Sequence, residues 1–271
     1  MDMVTDMATG TTITLKSESL SPFTFHLSLY KIVWFFEKKI SMSKSGVLAG
    51  GTDHHSHILP SVDDGVETME EALHILARYE QLGIKRLWLT PHIMEEVLNT
   101  PTKLRARLAQ LQEAYKGNIE LHLAAEYMMD GNLSKLLDNG EELLPIGNAG
   151  KHLLVETSYF NPPMRLHQTL EQIKSLGYHP LLAHPERYMY MDESEYRQLH
   201  QNGVKFQLNL ASLAGGYGSV VKKKALWLLQ NSYYTICGSD LHCEDTIELI
   251  TKCKLCEKEM AQVELLLQNS I

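Results

Sequence analysis

The sequence predicts an α/β protein whose parallel strands close into a barrel of seven β/α repeats. Three observations carry this. From Thr52 onward, short β-branched or leucine-rich runs alternate with amphipathic helical segments; seven such repeats follow one another; and ligand-type side chains stand at the ends of six of the seven runs. Alternation implies a parallel sheet with helices outside it, and a chain of 271 residues suits a closed barrel better than an open sheet. A hydrophobic share of 44% supplies a core, and 21% charged residues exclude a disordered or low-complexity chain.

Taken in order, residues 1–50 read as an N-terminal extension, expected to be poorly ordered, and residues 51–271 as the barrel domain. The extension holds an apolar run from Leu27 to Phe36 that Lys31 interrupts. It is too short to span a bilayer, which takes about 20 apolar residues, so no transmembrane segment is expected. Asp2 and Asp6 stand where a secretory signal needs positive charge. The sharper expectation for Trp34, Phe35 and Phe36 is weak peripheral contact with a membrane or partner.

Strand runs lie near Thr52–Ile58, Lys85–Thr90, Ile119–Glu126, His152–Glu156, Tyr178–Ala183, Val204–Leu210 and Tyr234–Ser239. The first helix is bounded by a Thr68/Glu71 capping box and by Gly83, with Ala72, Ile75, Leu76 and Tyr79 on one apolar face. Leu104, Leu108, Leu111 and Tyr115 repeat that spacing before Gly117, as do Leu166, Leu170, Ile173 and Leu176 before Gly177.

The four cysteines all lie beyond residue 236, too clustered to staple the chain, so free thiols in a reducing, cytoplasmic compartment are expected. A net charge of −8 argues against nucleic-acid binding, which needs a Lys/Arg surplus. Thirteen histidines without a polyhistidine tract point instead to metal, because imidazole is the commonest metal ligand.

In parallel barrels the C-terminal strand ends meet on one face. There stand Asp53-His54-His55-Ser56-His57, Thr90-Pro91-His92, Glu126, Glu156, His184-Pro185-Glu186-Arg187 and Ser239-Asp240-Leu241-His242. Singly, each such residue is more often a satisfied polar group than a ligand; their joint placement carries the weight. His55 and His57 are two apart, as are Asp240 and His242, so each pair faces one side of an extended strand. Imidazoles mixed with carboxylates, and no cysteine, suit Zn, Mn or Fe.

Six segments match a known pattern: DHHSHILPSVDDG from Asp53, LTPH from Leu89, AAEYM from Ala124, LVETS from Leu154, LLAHPERY from Leu181 and GSDLH from Gly238. On these the chain resembles the PHP (polymerase and histidinol phosphatase) superfamily, most closely its bacterial tyrosine-protein phosphatases of capsular and exopolysaccharide systems. The resemblance implies a distorted (β/α)7 TIM-like barrel (PHP fold) holding up to three divalent metal ions, manganese first, with iron and zinc as alternatives. Carried over, it places His55, His57, Glu126 and Asp240 on one ion, with Glu126 bridging to a second held by Glu156 and His184. A third takes Asp64, His92 and His242. Arg187 is similar to the arginine that binds the substrate phosphate, and His55 or a metal-held water is the candidate general acid.

Charge supports this. Three divalent ions outweigh the carboxylates of Asp64, Glu126, Glu156 and Asp240 by about two positive charges, which attracts a phosphate dianion. Water held by such ions ionises near neutral pH and can attack phosphorus in line, and a tyrosine leaving group, with a pKa of about 10, needs little acid assistance. Some relatives carry a second arginine after the last Asp-x-His; Cys243-Glu244-Asp245-Thr246-Ile247 has none, which leaves Arg165 as a substitute cation or a weaker phosphate site.

Other signals are set aside. Cys253-Lys254-Leu255-Cys256 has zinc spacing but lacks a second pair and falls in an expected C-terminal helix. Gly215-Gly216-Tyr217-Gly218 lacks the lysine of a P-loop and reads as a flexible loop near the active-site mouth. Lys222-Lys223-Lys224 reads as a solvated helix face, with docking of an acidic phosphorylated tail as the sharper alternative. No Cys-x5-Arg loop is present for thiol catalysis. The expected function is hydrolysis of phosphotyrosine in a partner protein, the resemblance implying the C-terminal tail of a tyrosine autokinase. The rivals are a small-molecule phosphatase, such as one for histidinol phosphate, and a non-catalytic regulatory module. Nine polar groups gathered in one cleft would be a costly ornament for the latter.

Overall fold

A computed structural model describes residues 38–271. Its strands supply seven staves, five unbroken and two divided. After β1 (Ile40–Ser41) and α1 (Met42–Ser45) come β2 (Thr52–Ser56), α2 (Met69–Gln81), β3 (Arg86–Leu89), β4 (His92–Ile93), α3 (Pro101–Ala114), β5 (Glu120–Leu123), β6 (Glu126–Met128) and α4 (Gly131–Asn139). Then follow β7 (His152–Glu156), α5 (Leu166–Ser175), β8 (His179–Ala183), a 3-10 turn (Pro185–Arg187), α6 (Glu193–Gln201), β9 (Lys205–Asn209), α7 (Leu210–Ala214), α8 (Gly218–Gln230) and β10 (Tyr234–Gly238). The chain ends through α9 (Asp245–Lys252), β11 (Lys254–Leu255) and α10 (Glu257–Gln268).

Two parallel sheets, β2-β3-β5 and β10-β9-β8-β7-β6-β4, make the wall. The second and third staves break because their chains step from one sheet to the other. Pro91 cannot donate to a ladder, and Thr90 Oγ1 accepts from Ser56 N at 3.1 Å where the chain leaves β3. The remaining edges meet at a seam: Asp240 N donates to His55 O at 2.8 Å and His57 N to Leu241 O at 2.9 Å. The expected (β/α)7 barrel is thus present, its distortion lying in the two stepped staves.

Strand alternation divides the core. Leu153, Val155, Leu182 and Cys237 join the large cluster of buried apolar residues. Leu154, Leu181, Ala183 and Ile236 form a small separate cluster. Glu156, two residues beyond Leu154, therefore points the same way as Leu154, and it lines the cleft above. The helices start and stop where expected: Thr68 Oγ1 accepts from Glu71 N at 3.1 Å, and Gly83 and Gly177 take φ of 83° and 86°.

Residues 39–50, ahead of the expected barrel start, pack with it: β1 pairs with β11, and Met42, Val47 and Leu48 are buried. The apolar run Leu27–Phe36 lies outside the described residues. Two expectations change. Cys253 and Cys256 are not helical neighbours, because the chain leaves α9 at Cys253 to make β11 and starts α10 after Cys256. Lys224 is no solvated lysine; its Nζ donates to the carbonyls of Tyr188 at 2.7 Å and Met191 at 2.8 Å, tying α8 to the loop after β8.

Candidate metal centre

All nine candidate ligands converge on the face formed by the C-terminal strand ends. The register of β2 on β3 shifts between Asp53 and Ser56, a bulge of the kind that re-aims side chains. His55 and His57 meet there, their Nε2 atoms 3.1 Å apart. The β4–β6 pairing puts His92 beside Glu126, and the β6–β7 pairing puts Met128 beside Glu156. His184 and Asp240 take left-handed φ of 32° and 53°, two of only four non-glycine residues that do so among the described residues. Strain of this kind persists where the surroundings demand one side-chain direction.

Glu126 is the hub. Its carboxylate lies 3.2 Å from His55 Nε2, 3.4 Å from His57 Nε2, 3.3 Å from His92 Nδ1 and 3.0 Å from His184 Nε2, and it is wholly buried. Three overlapping groups result: His55, Glu126, His184 and Asp240; His92, Glu126 and Glu156; and His57, Asp64, His92 and His242. The partition carried over from relatives also fits these distances: His57 Nε2 lies 3.4 Å from both Glu126 Oε2 and Asp240 Oδ1, and His184 Nε2 lies 3.0 Å from Glu126 and 3.8 Å from Glu156, so both histidines stand between groups. Asp64 is the exposed member, 3.5 Å from His92 Nε2 and 3.6 Å from His242 Nε2.

The donor set fits divalent cations. His92 Nδ1 and His184 Nδ1 are buried without a hydrogen-bond partner; His92 Nδ1 is 3.1 Å from Glu156 Oε1 but out of alignment. Burial opposes charge on His55, yet Glu126 and Asp240 push its pKa up to about 9. Burial likewise opposes charge on His57, which Asp240, Asp63 and Glu126 nevertheless raise well above the usual imidazole range. Burial would raise Glu126, but His55 and the other imidazoles hold it well below the usual carboxylate range. A cluster that retains protons so firmly stabilises positive charge, and divalent ions supply that charge to nitrogen and oxygen donors without thiolates.

Beside the cluster opens a cleft of about 410 Å³ whose lining includes Asp64, Glu156, Tyr159, Arg187, Tyr217 and Thr246. Arg187 Nη1 bonds Asp240 Oδ2 at 2.7 Å, and the guanidinium sits 4.3 Å from the Tyr159 ring centre and 4.1 Å from that of Tyr217. Burial opposes its charge, but Asp240 and its other neighbours raise its pKa further above the ordinary arginine value. Its remaining nitrogens have no hydrogen-bond partner among the described residues, leaving donors for an oxyanion.

Residues 51–264 match the family model described as capsular polysaccharide synthesis, CpsB/CapC. The chain belongs to the CpsB/CapC family. It is 30% identical over 196 residues to the tyrosine-protein phosphatase YwqE of Bacillus subtilis, covering 70% of this chain and 76% of that one. It is 28% identical over 201 residues to the tyrosine-protein phosphatase CpsB of Streptococcus pneumoniae, covering 70% and 82%. A crystal structure from work on these two, described as unique metal-dependent tyrosine phosphatases, superposes with a TM-score of 0.68 at 26% identity over 81% of this chain and 96% of that one. The resemblance read from the motifs is borne out.

Within this CpsB/CapC barrel, sequence reasoning missed the residues that hold the candidate ligands. Asp63 accepts from His57 Nδ1 at 2.9 Å and from His92 N at 3.0 Å. Burial would raise its pKa, but the His57 bond pulls it down to about 2. Gln207 Oε1 meets His55 Nδ1 at 3.0 Å, and Asn209 Nδ2 donates to Asp240 Oδ2 at 2.8 Å. Only Asp63 carried a signal, through its place in the Asp-Asp-Gly segment. Two expectations fail geometrically. His55 is fully buried with both ring nitrogens engaged and does not line the cleft, so it has no route to a leaving group as a general acid. Arg165, expected as a substitute cation, lines a neighbouring recess and not the cleft. The Gly215–Gly218 segment contributes Tyr217 instead of a phosphate cradle.

Proposed function

We propose that this CpsB/CapC member is a metal-dependent protein-tyrosine phosphatase. One observation carries the reading: nitrogen and oxygen donors in three overlapping groups border a cleft in which a stacked arginine has unpaired donors. In this reading His55, Glu126, His184 and Asp240 would hold one divalent ion, His92, Glu126 and Glu156 a second, and His57, Asp64, His92 and His242 a third. Manganese is the first choice, with iron and zinc also suited to the donors. Bound ions supply a lowered water pKa and neutralise phosphoryl charge. Arg187 binds the phosphoryl oxygens with the donors that Asp240 leaves free, Tyr159 and Tyr217 hold its plane, and Asn209 keeps Asp240 fixed. The substrate class follows the relatives named tyrosine-protein phosphatases; the partner is a phosphotyrosine protein, and the C-terminal tail of a cytoplasmic-facing tyrosine autokinase fits the capsular family.

Elemental analysis of the purified protein, together with an EDTA-sensitive assay on phosphotyrosyl peptide and histidinol phosphate, tests this. Peptide turnover restored by Mn supports it. Preference for histidinol phosphate makes the protein a small-molecule phosphatase, and turnover of neither makes it a binding module.

A further inference from the structure

Beside the cleft lies a second recess that the chemistry above leaves unused. It sits between the loop after β7 and the loop after β8, measures about 410 Å³, and has Pro163, Met164, Arg165, Tyr190 and Glu195 on its walls. Met164 is completely exposed and Phe160, on the same loop, is 74% exposed; large apolar side chains standing free together mark contact sites. A chain of stacked rings links the wall of the recess to that of the cleft. Tyr159 of the cleft stacks on buried Tyr188 at 6.3 Å, and Tyr188 stacks on Tyr190 of the recess at 5.9 Å. Met189 N donates to Tyr159 O at 2.7 Å, fastening the two loops into one wall. Its charge is also uncommitted: Glu195 pairs with His167 at 3.2 Å, while the Arg165 side chain has no partner among the described residues.

We propose that this recess receives the polypeptide flanking the phosphotyrosine of a protein substrate. The occupant is an extended segment with an apolar side chain against Met164 and Phe160 and a carboxylate on Arg165; this rests on the phosphatase reading above. The two ring-to-ring steps are bridged by about four residues of extended chain at about 3.3 Å each, which sets the distance of the recognised residues from the phosphotyrosine.

The test is a fluorescent peptide bearing a non-hydrolysable difluoromethylphosphonate analogue of phosphotyrosine, with leucine and glutamate about four residues away. Its affinity for metal-loaded wild type, Met164→Asp and Arg165→Glu is read by anisotropy, with turnover of free phosphotyrosine measured in parallel. Peptide binding weakens about tenfold in each variant while free phosphotyrosine turnover stays within about twofold. Equal peptide affinity in all three proteins overturns the proposal. A parallel loss of free phosphotyrosine turnover also overturns it, by placing these side chains in the chemistry. So does a wild-type dimer that Met164→Asp dissociates at unchanged peptide affinity, which makes the recess a self-interface. No turnover of free phosphotyrosine by wild type defeats the phosphatase reading, while anisotropy still decides the recess.

Discussion

A guanidinium lying between the faces of Tyr159 and Tyr217, with one nitrogen anchored on Asp240, has little freedom left to lose when an oxyanion arrives. Such preorganisation makes a donor effective in a transition state. Arg187→Ala is expected to lower kcat/KM by about 10²–10³-fold at unchanged metal stoichiometry. Tyr217→Ala should follow part of the way and Tyr217→Phe less far, since the ring face meets the cation while the hydroxyl only accepts from Asn209 at 3.2 Å and reaches Asp240 Oδ2 at 3.5 Å; steady-state kinetics with elemental analysis separates these. Two neighbouring histidines set opposite pH windows in the chelated protein. Burial lowers the pKa of His54 to about 4, so the folded state excludes a proton that the unfolded chain accepts below about 6.5. Stability therefore falls as pH drops from about 6.5 towards 4. His55, raised to about 9, adds stability that is complete below about 6.5 and lost as pH rises through about 9. Urea midpoints in EDTA should peak near pH 6.5, and His54→Gln should flatten only the acid limb.

At the scale of elements, two glycines show how closely the strands must approach. A Cβ on Gly238 would lie 2.5 Å from His55 Cβ, and one on Gly65 would lie 2.2 Å from His57 O. Gly238→Ala and Gly65→Ala should each cost about 1–3 kcal/mol and reduce bound metal, read by thermal unfolding and metal stoichiometry, because relief moves the two histidines. Helices such as α2 and α5 were legible from periodicity and their terminal signals, which are local. The stepped staves were not: Lys85–Thr90 and Ile119–Glu126 read as single runs, and only pairing with β6 and β7 makes His92 and Glu126 begin new strands. The break at Cys253 was hidden for the same reason, since β11 exists only by pairing with β1.

Across the whole molecule, the seam between β2 and the segment after β10 brings residues 55 and 57 to residue 240. His55, His57 and Asp240 would hold ions across that seam, and metal binding would then be coupled to folding. EDTA should lower the melting temperature by roughly 5–10 °C for each site otherwise filled at about 100 times its Kd, with recovery on adding Mn; scanning fluorimetry reads it. The residue types and strand-end positions of eight of the nine candidate ligands, and Arg187 beside them, were legible in the sequence, because ligand chemistry and β/α periodicity are local properties of the chain; Asp64, in the loop after β2, came only through the family resemblance. Tertiary structure alone decided which ligands share a group, what holds them through Asp63, Gln207 and Asn209, and why His55 cannot reach a leaving group. Those depend on distances between segments far apart in the chain, set only when the stepped staves pair and the barrel closes.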